Sequence, residues 1–93
     1  MNKQKYIIRT DRAGVFYGFI ESREGSEAVL TDARRVWRWE GATDCIQLAM
    51  EGCKPSSKLT APAESLTVLG VIEIIPVTDA ARARMDAIPI WRA

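Results

Sequence analysis

The chain has 93 residues, of which 47% are hydrophobic and 27% are charged, and its formal net charge is +1. This length and apolar content exclude two ordinary domains and a disordered segment, so we expect one domain over residues 1–93. The balanced charge excludes a histone-like or polybasic binder, and the absence of histidine excludes Ser–His and Cys–His catalytic pairs.

The N-terminal part of the chain has the pattern of short strands joined by tight turns. Four strands are predicted, at residues 4–9, 15–22, 27–31 and 34–39. Both faces of 15–22 are apolar, which indicates a central strand, and Gly18 would let another backbone or a large side chain approach it closely. Asp32 and Ala33 are read as a short turn or bulge. Sequential strands with short turns are typical of an antiparallel meander.

The period of the apolar residues changes after Gly41. Apolar residues within 42–53 recur at three- and four-residue spacing, which predicts a helix. Gly41 or Thr43 is expected to be its N-cap, and Gly52 is expected to end it. Further elements are predicted as an extended piece at 58–61, a strand at 66–75 and a second helix at 79–87 capped by Thr78. The expected fold class is α+β, an antiparallel meander of about four to six strands with two short helices packed on it.

Several segments resemble a family of small proteins from tailed phages and prophages that is known as a domain of unknown function. The segments are Tyr6-Ile7-Ile8-Arg9-Thr10, Ala13-Gly14-Val15-Phe16-Tyr17-Gly18, Thr31-Asp32-Ala33-Arg34-Arg35-Val36-Trp37-Arg38-Trp39 and Gln47-Leu48-Ala49-Met50-Glu51-Gly52. The resemblance implies a phage-type accessory protein made in a bacterial host. It implies no activity and no catalytic residues.

The sequence contains no clear pattern for a metal site, a disulfide bond or an enzyme active site. Cys45 and Cys53 stand across a predicted helix, too far apart for an easy bridge, so we expect buried free thiols in a reducing compartment. Glycine-rich phosphate loops and a zinc ligand set are missing, so no cofactor and no metal are predicted. Carboxylate pairs such as Asp32 with Glu40 or Glu73 have no distinctive spacing, and we do not expect an enzyme.

Targeting signals are also missing from the sequence. The N-terminal apolar stretch is shorter than a secretory signal requires, and every apolar run is too short for a membrane span. We therefore expect a cytoplasmic protein with no membrane partner, and the resemblance implies that the cytoplasm is that of a bacterial host.

Residues 34–39 carry the most concentrated functional pattern. As a strand they would place Arg35, Trp37 and Trp39 on one face, with Arg34 and Arg38 on the other. Indoles can stack on a base, and arginine matches phosphate oxygens, so these five residues are the candidate ligand-binding set. Tryptophans on a sheet are also common in cores and interfaces, and that alternative stays open.

Trp91 and Ile90 are the candidate interface residues. An aromatic residue this close to the end of the chain either folds back onto its own domain or docks on a neighbour. The resulting hypothesis is a non-catalytic homo-oligomeric module that binds an anionic ligand, a nucleotide or nucleic acid. The alternatives are an interaction or virion-associated protein without a small ligand, acting on a host protein, and an enzyme with an unusual carboxylate site.

Overall fold

The computed structural model describes residues 3–92, which fold into six strands and two helices. The strands are β1 (Lys5–Thr10), β2 (Val15–Glu24), β3 (Glu27–Arg38), β4 (Lys58–Leu59), β5 (Ala63–Val68) and β6 (Val71–Pro76). The helices are α1 (Cys45–Glu51) and α2 (Asp79–Asp86). All strand pairs are antiparallel, which confirms the α+β class with two short helices.

The strands form one sheet in the order β4-β3-β2-β1-β6, and β5 pairs with the same edge of β3 as β4 does. β2 lies between β1 and β3, so the central position predicted for it is confirmed. β1 is also an interior strand, between β2 and β6.

The sheet is strongly curled along β2 and β3. A straight ten-residue strand spans roughly 30 Å. The loops at both ends of β2 nevertheless form hydrogen bonds with two adjacent residues, Gly70 and Val71. The amide of Asp11 donates to the carbonyl of Gly70 (3.0 Å), and the amide of Val71 donates to the carbonyl of Ser26 (2.9 Å). β2 must therefore bend back on itself, and the sheet becomes an incomplete barrel.

The bend occurs where Gly18 faces an irregularity in β3. The pairing register between β2 and β3 shifts by one residue here, and Asp32 adopts a positive φ of 48°. A Cβ placed on Gly18 would lie only 2.7 Å from the Cα of Ala33. The close backbone approach predicted at Gly18 is thus confirmed, and Asp32–Ala33 is a bulge within one continuous strand rather than a break between two strands.

Two other boundaries differ from the sequence prediction. The single strand predicted at 66–75 is wrong, because Gly70 adopts a φ of 73° and the chain turns there from β5 into β6. The predicted helix start at Gly41 or Thr43 is also wrong, because the Asp44 carboxylate accepts from the amide of Gln47 (2.9 Å) and caps α1. The Thr78 cap of α2 is confirmed by its hydroxyl accepting from Ala81 (3.1 Å).

Each face of the sheet carries its own apolar cluster. The convex face packs against both helices through a cluster that includes Ile7, Tyr17, Leu48 and Met85. The concave face holds a smaller cluster built around Ile8, Phe16, Leu30 and Val68. Because Phe16 and Leu30 come from opposite ends of the bent β2–β3 hairpin, the curl itself brings this second cluster together.

Candidate ligand-binding face

Arg34 is a structural residue. Its side chain is buried, and its guanidinium donates to the backbone carbonyls of four residues: Leu59 (3.2 Å), Thr60 (2.8 Å), Met85 (3.2 Å) and Pro89 (3.2 Å). Burial lowers the pKa of Arg34, although an arginine stays charged at neutral pH. The structure therefore corrects the sequence analysis, because Arg34 joins β4 to the end of α2 and is not directed to an external ligand.

Arg35, the next residue, lies on the opposite face of β3 and is exposed. Its guanidinium carbon is 5.0 Å from the centroid of the Phe16 ring, so the charge lies over an aromatic face at the rim of the concave side. Its amide donates to the hydroxyl of Thr60 (2.9 Å), which fixes the backbone of β3 at this position.

Two adjoining depressions share Phe16, Arg35 and Leu66 as lining residues. The larger, about 390 Å³, extends toward Arg12 and Leu69. The smaller, about 230 Å³, extends toward β4 and β5 along residues 60–63. No carboxylate lines either depression within the described part of the chain. The two form a shallow groove with an apolar floor and two arginines at its border.

Two residues beyond Arg35, at a bulge in the β3–β4 pairing, Trp37 stacks on Trp91. The ring centroids are 4.9 Å apart and the rings are inclined by 15°. The Lys58 ammonium lies 5.3 Å from one centroid and 5.2 Å from the other, so it flanks the stack rather than covering an outer ring face. Trp37 remains 56% exposed.

The C-terminal segment folds back onto its own domain. The amide of Trp91 donates to the carbonyl of Leu59 (2.8 Å), and Ile90 forms a parallel bridge with Leu59. Of the two outcomes that the sequence left open for Trp91, the structure shows the first. Ile90 stays 46% exposed next to the stack.

Of the remaining two candidate residues, Trp39 leaves this face, and Arg38 lines neither depression. Trp39 follows the end of β3, packs against the helix-side cluster and donates its indole N–H to the carbonyl of Ala42 (3.2 Å). It does not share a face with Arg35 and Trp37 as the alternation predicted. Arg38 is exposed at the end of β3, where it pairs with Lys58 across a bulge beside Trp37. We use the name basic–aromatic face for Arg12, Arg35, Trp37, Lys58 and Trp91.

Sequence reasoning did not assign Arg12 and Lys58 to this site. Each reaches it through a long-range contact: Arg12 from the β1–β2 turn, and Lys58 from the short strand β4 beside the end of β3. The basic character of both segments is visible in the sequence. Their position near Arg35 and Trp37 depends on the curl of the sheet and on the pairing of β4 with β3. A local sequence pattern predicts neither of these.

The acidic partners of the basic residues lie elsewhere. Within residues 3–92, the ion pairs involve Lys5, Arg9 and Arg82. The ammonium of Lys5 contacts the Asp86 carboxylate at 2.9 Å under the end of α2. In the same range no carboxylate forms an ion pair with a cation of the basic–aromatic face.

A polar network connects the buried side chains of Lys5 and Tyr17 to the partly exposed Asp86 on the convex side. The Tyr17 hydroxyl donates to its carboxylate (2.6 Å), beside the contact from Lys5. Burial is the main factor that raises the pKa of Tyr17, and the neighbouring Asp86 adds to it. Because Lys5 and Tyr17 are both satisfied by Asp86, we interpret this network as a strut between β1, β2 and α2. The sequence pattern gave no sign of it.

A further cavity of about 410 Å³ lies beside the start of α1. It is bordered by Trp39, Cys45 and the ion pair between Arg9 and Glu73 (3.1 Å). Both cysteines are free and buried, as predicted, and burial raises the pKa of each thiol. A thiol with a raised pKa is a poor nucleophile at neutral pH.

A family profile described as a domain of unknown function (DUF6948) matches residues 3–85. The chain belongs to this family. No curated protein and no solved structure matches the chain significantly. The DUF6948 match includes every residue of the basic–aromatic face except Trp91. It carries no information on phages, so the phage association stays a prediction.

Within residues 3–92, His, Cys, Asp and Glu side chains form no group of three or more that could hold a metal ion. Neither helix in this range is long and apolar enough to cross a membrane.

Proposed function

We propose that this DUF6948 domain is a non-catalytic binding module for an anionic ligand that carries a flat ring, a nucleotide or nucleic acid. The ligand lies on the basic–aromatic face. Its phosphate groups contact Arg12 or Arg35, and a base stacks against Trp37 with Lys58 beside it. This proposal keeps two residues of the predicted ligand set, Arg35 and Trp37, leaves out Arg34, Arg38 and Trp39, and adds Arg12 and Lys58.

One observation carries the proposal: Arg35 has no acidic partner within residues 3–92 and lies over an apolar groove next to an exposed indole stack. A guanidinium on an apolar floor is weakly hydrated, and its planar fork matches two phosphate oxygens. An exposed indole binds a nucleobase by stacking, which contributes about 1–3 kcal/mol per base. The two kinds of contact match the two parts of a nucleotide.

The direct test is fluorescence anisotropy with a labelled single-stranded octanucleotide, with unlabelled nucleotides as competitors. Trp37→Ala should weaken binding by about 5- to 150-fold, the equivalent of one lost base stack, and Arg35→Ala should weaken it and flatten its salt dependence. Arg23→Ala is the matched control, because it removes the same charge from the exposed β2–β3 hairpin, where Arg23 donates to the carbonyl of Gly25, two residues along the chain.

The control variant should bind as the unaltered protein does. Equal binding by all three variants, or no binding of any nucleotide or oligonucleotide at micromolar concentrations, would contradict the proposal. The circular dichroism spectra of the variants verify that the fold is kept.

A second candidate function is association with another protein chain. It is favoured by large apolar side chains that remain exposed, at Trp37 (56%), Ile90 (46%) and Leu69 (65%). Exposed aromatic and aliphatic residues of this kind are enriched in the centres of protein interfaces. The predicted homo-oligomer would use Ile90 and the Trp37–Trp91 stack as its contact.

Sedimentation velocity separates the two candidates. If the chain self-associates through Ile90 and the Trp37–Trp91 stack, Ile90→Lys should shift it to monomer while leaving the Arg35 groove intact. A monomer across the micromolar range would exclude the homo-oligomer, whereas loss of oligonucleotide binding in Ile90→Lys would indicate that ligand binding needs the assembled form. Work in the cytoplasm of a bacterial host, with a phage-type role, is proposed on the sequence resemblance alone.

A further inference from the structure

The groove is elongated rather than enclosed. Its two depressions lie side by side and meet at Phe16, Arg35 and Leu66. From Arg35, β3 continues to Trp37, about 7 Å further along the strand. The cationic and aromatic groups are thus arranged in a row, from Arg12 through Arg35 to the Trp37–Trp91 stack.

This shape is a poor match to a free mononucleotide. Small-molecule sites bury about 70–90% of their ligand in a concave pocket, and these depressions are shallow and open to solvent. The cations also lie apart, on a turn, on β3 and on β4, instead of converging on one phosphate. A row of separate charges beside an aromatic platform is the arrangement that follows a polymer backbone.

We propose that the ligand is single-stranded nucleic acid that runs along this row. The inference rests on the proposed function and narrows it to a polymer. Successive phosphates contact Arg12 and Arg35, and an unpaired base next to them stacks on Trp37, with Lys58 at the side of the stack. The site accommodates a few nucleotides, near the lower end of the roughly 4–16 bound by small barrel domains.

The strand must be single because the stacking step needs a free base face. In a duplex the bases are paired and stacked on one another, so only phosphates could reach the basic–aromatic face. A duplex would then gain the contacts of Arg12 and Arg35 but not that of Trp37. The indole stack is therefore the feature that discriminates between the two forms.

The test is a length series in the anisotropy assay, with labelled oligo-dT and oligo-U of two, four and eight nucleotides, dTMP and UMP as competitors, and a DNA duplex of eight base pairs. Affinity should rise between two and four nucleotides by at least tenfold and then level off, and the monophosphates should compete only at concentrations at least 100-fold higher. The duplex should bind more weakly than the single strand and lose nothing in Trp37→Ala.

Salt dependence supplies a second readout. The two phosphate contacts should give a slope of about −1.4 in a plot of log K against log salt for a single strand, and Arg12→Ala should reduce its magnitude by about 0.7. Arg12 is exposed on a turn, so this variant should fold. Arg23→Ala is again the charge control and should leave the slope unchanged.

The outcomes are distinguishable. If the monophosphates compete as well as the octanucleotide, or if the duplex binds as tightly as the single strand, this inference is overturned while the proposed function stands. An unchanged salt slope in Arg12→Ala also overturns it, because the row would then lack its first contact. If no nucleotide or oligonucleotide binds, both the inference and the proposed function fail.

Discussion

Neighbouring arginines in β3 have opposite roles. The guanidinium of Arg34 is surrounded by carbonyls on the convex side, while that of Arg35 lies over Phe16 on the concave side. Strand alternation alone predicted that the two would face opposite ways. Alternation could not predict which face is exposed to solvent, because that depends on where β4 and the end of α2 pack.

Arg34→Ala should destabilise the fold. Four backbone carbonyls lose their donor, and buried acceptors without a partner are costly, so we expect the free energy of unfolding to fall by about 2–4 kcal/mol. Arg38→Ala is the matched control at an exposed position of the same strand and should change it by about 0.5 kcal/mol or less. Urea denaturation measures both, and equal values for the two variants would contradict the structural role of Arg34.

Asp86 should stabilise the fold in a pH-dependent way. Burial alone would raise the pKa of its carboxyl, but hydrogen bonds from Tyr17 and Lys5 outweigh burial and hold the pKa below its usual value. A carboxyl with a lowered pKa in the folded state stabilises the fold above the unfolded value of about 3.9. That contribution disappears as the pH falls through the folded pKa.

Asp86→Asn should therefore unfold more readily than the unaltered protein at pH 7, and the difference should shrink between about pH 5 and pH 2. Glu64→Gln, at an exposed position of β5, should show a difference that stays small throughout. Urea titrations at a series of pH values measure this. A difference for Asp86→Asn that is constant with pH would show that its charge contributes nothing to stability.

At the scale of elements, the curl of the sheet decides both the core and the site. Periodicity predicted the helices, most of the strands and the central place of β2, because these depend on local burial patterns. It placed one strand across 66–75, where Gly70 turns the chain into two strands that pair with different partners, β3 and β1. A run of β-branched residues looks the same whether it forms one strand or two. The sequence therefore does not show which strands its two halves pair with.

Gly18→Ala tests the curl directly. The added methyl group would lie 2.7 Å from the Cα of Ala33, and backbone at a bulge cannot move aside cheaply. We expect a loss of about 2 kcal/mol or more, which corresponds to a fall in Tm of at least about 8 °C for a domain of this size. Ser65→Ala, at an exposed position of β5, should leave Tm within a few degrees, and a similar Tm for both variants would contradict the tight approach.

At the scale of the whole molecule, the basic–aromatic face gathers residues from the turn after β1, from β3, from β4 and from the C-terminal segment. The sequence predicted Arg35 and Trp37 because they are adjacent in an obvious pattern. It could not add Arg12, Lys58 or the stacking of Trp91, which are brought in by tertiary contacts over long sequence separations. Membership of DUF6948 adds no assigned activity, so the physical arrangement carries the functional argument.

The most direct test of this account uses the three indole N–H groups as internal reporters. In a ¹H–¹⁵N NMR titration with a single-stranded octanucleotide, assigned through Trp→Phe variants, the indole signals of Trp37 and Trp91 should shift strongly. The signal of Trp39, whose N–H is bonded to the Ala42 carbonyl away from the face, should stay in place. Unmoved signals of Trp37 and Trp91 at saturating oligonucleotide, or a shift confined to Trp39, would contradict binding at the basic–aromatic face.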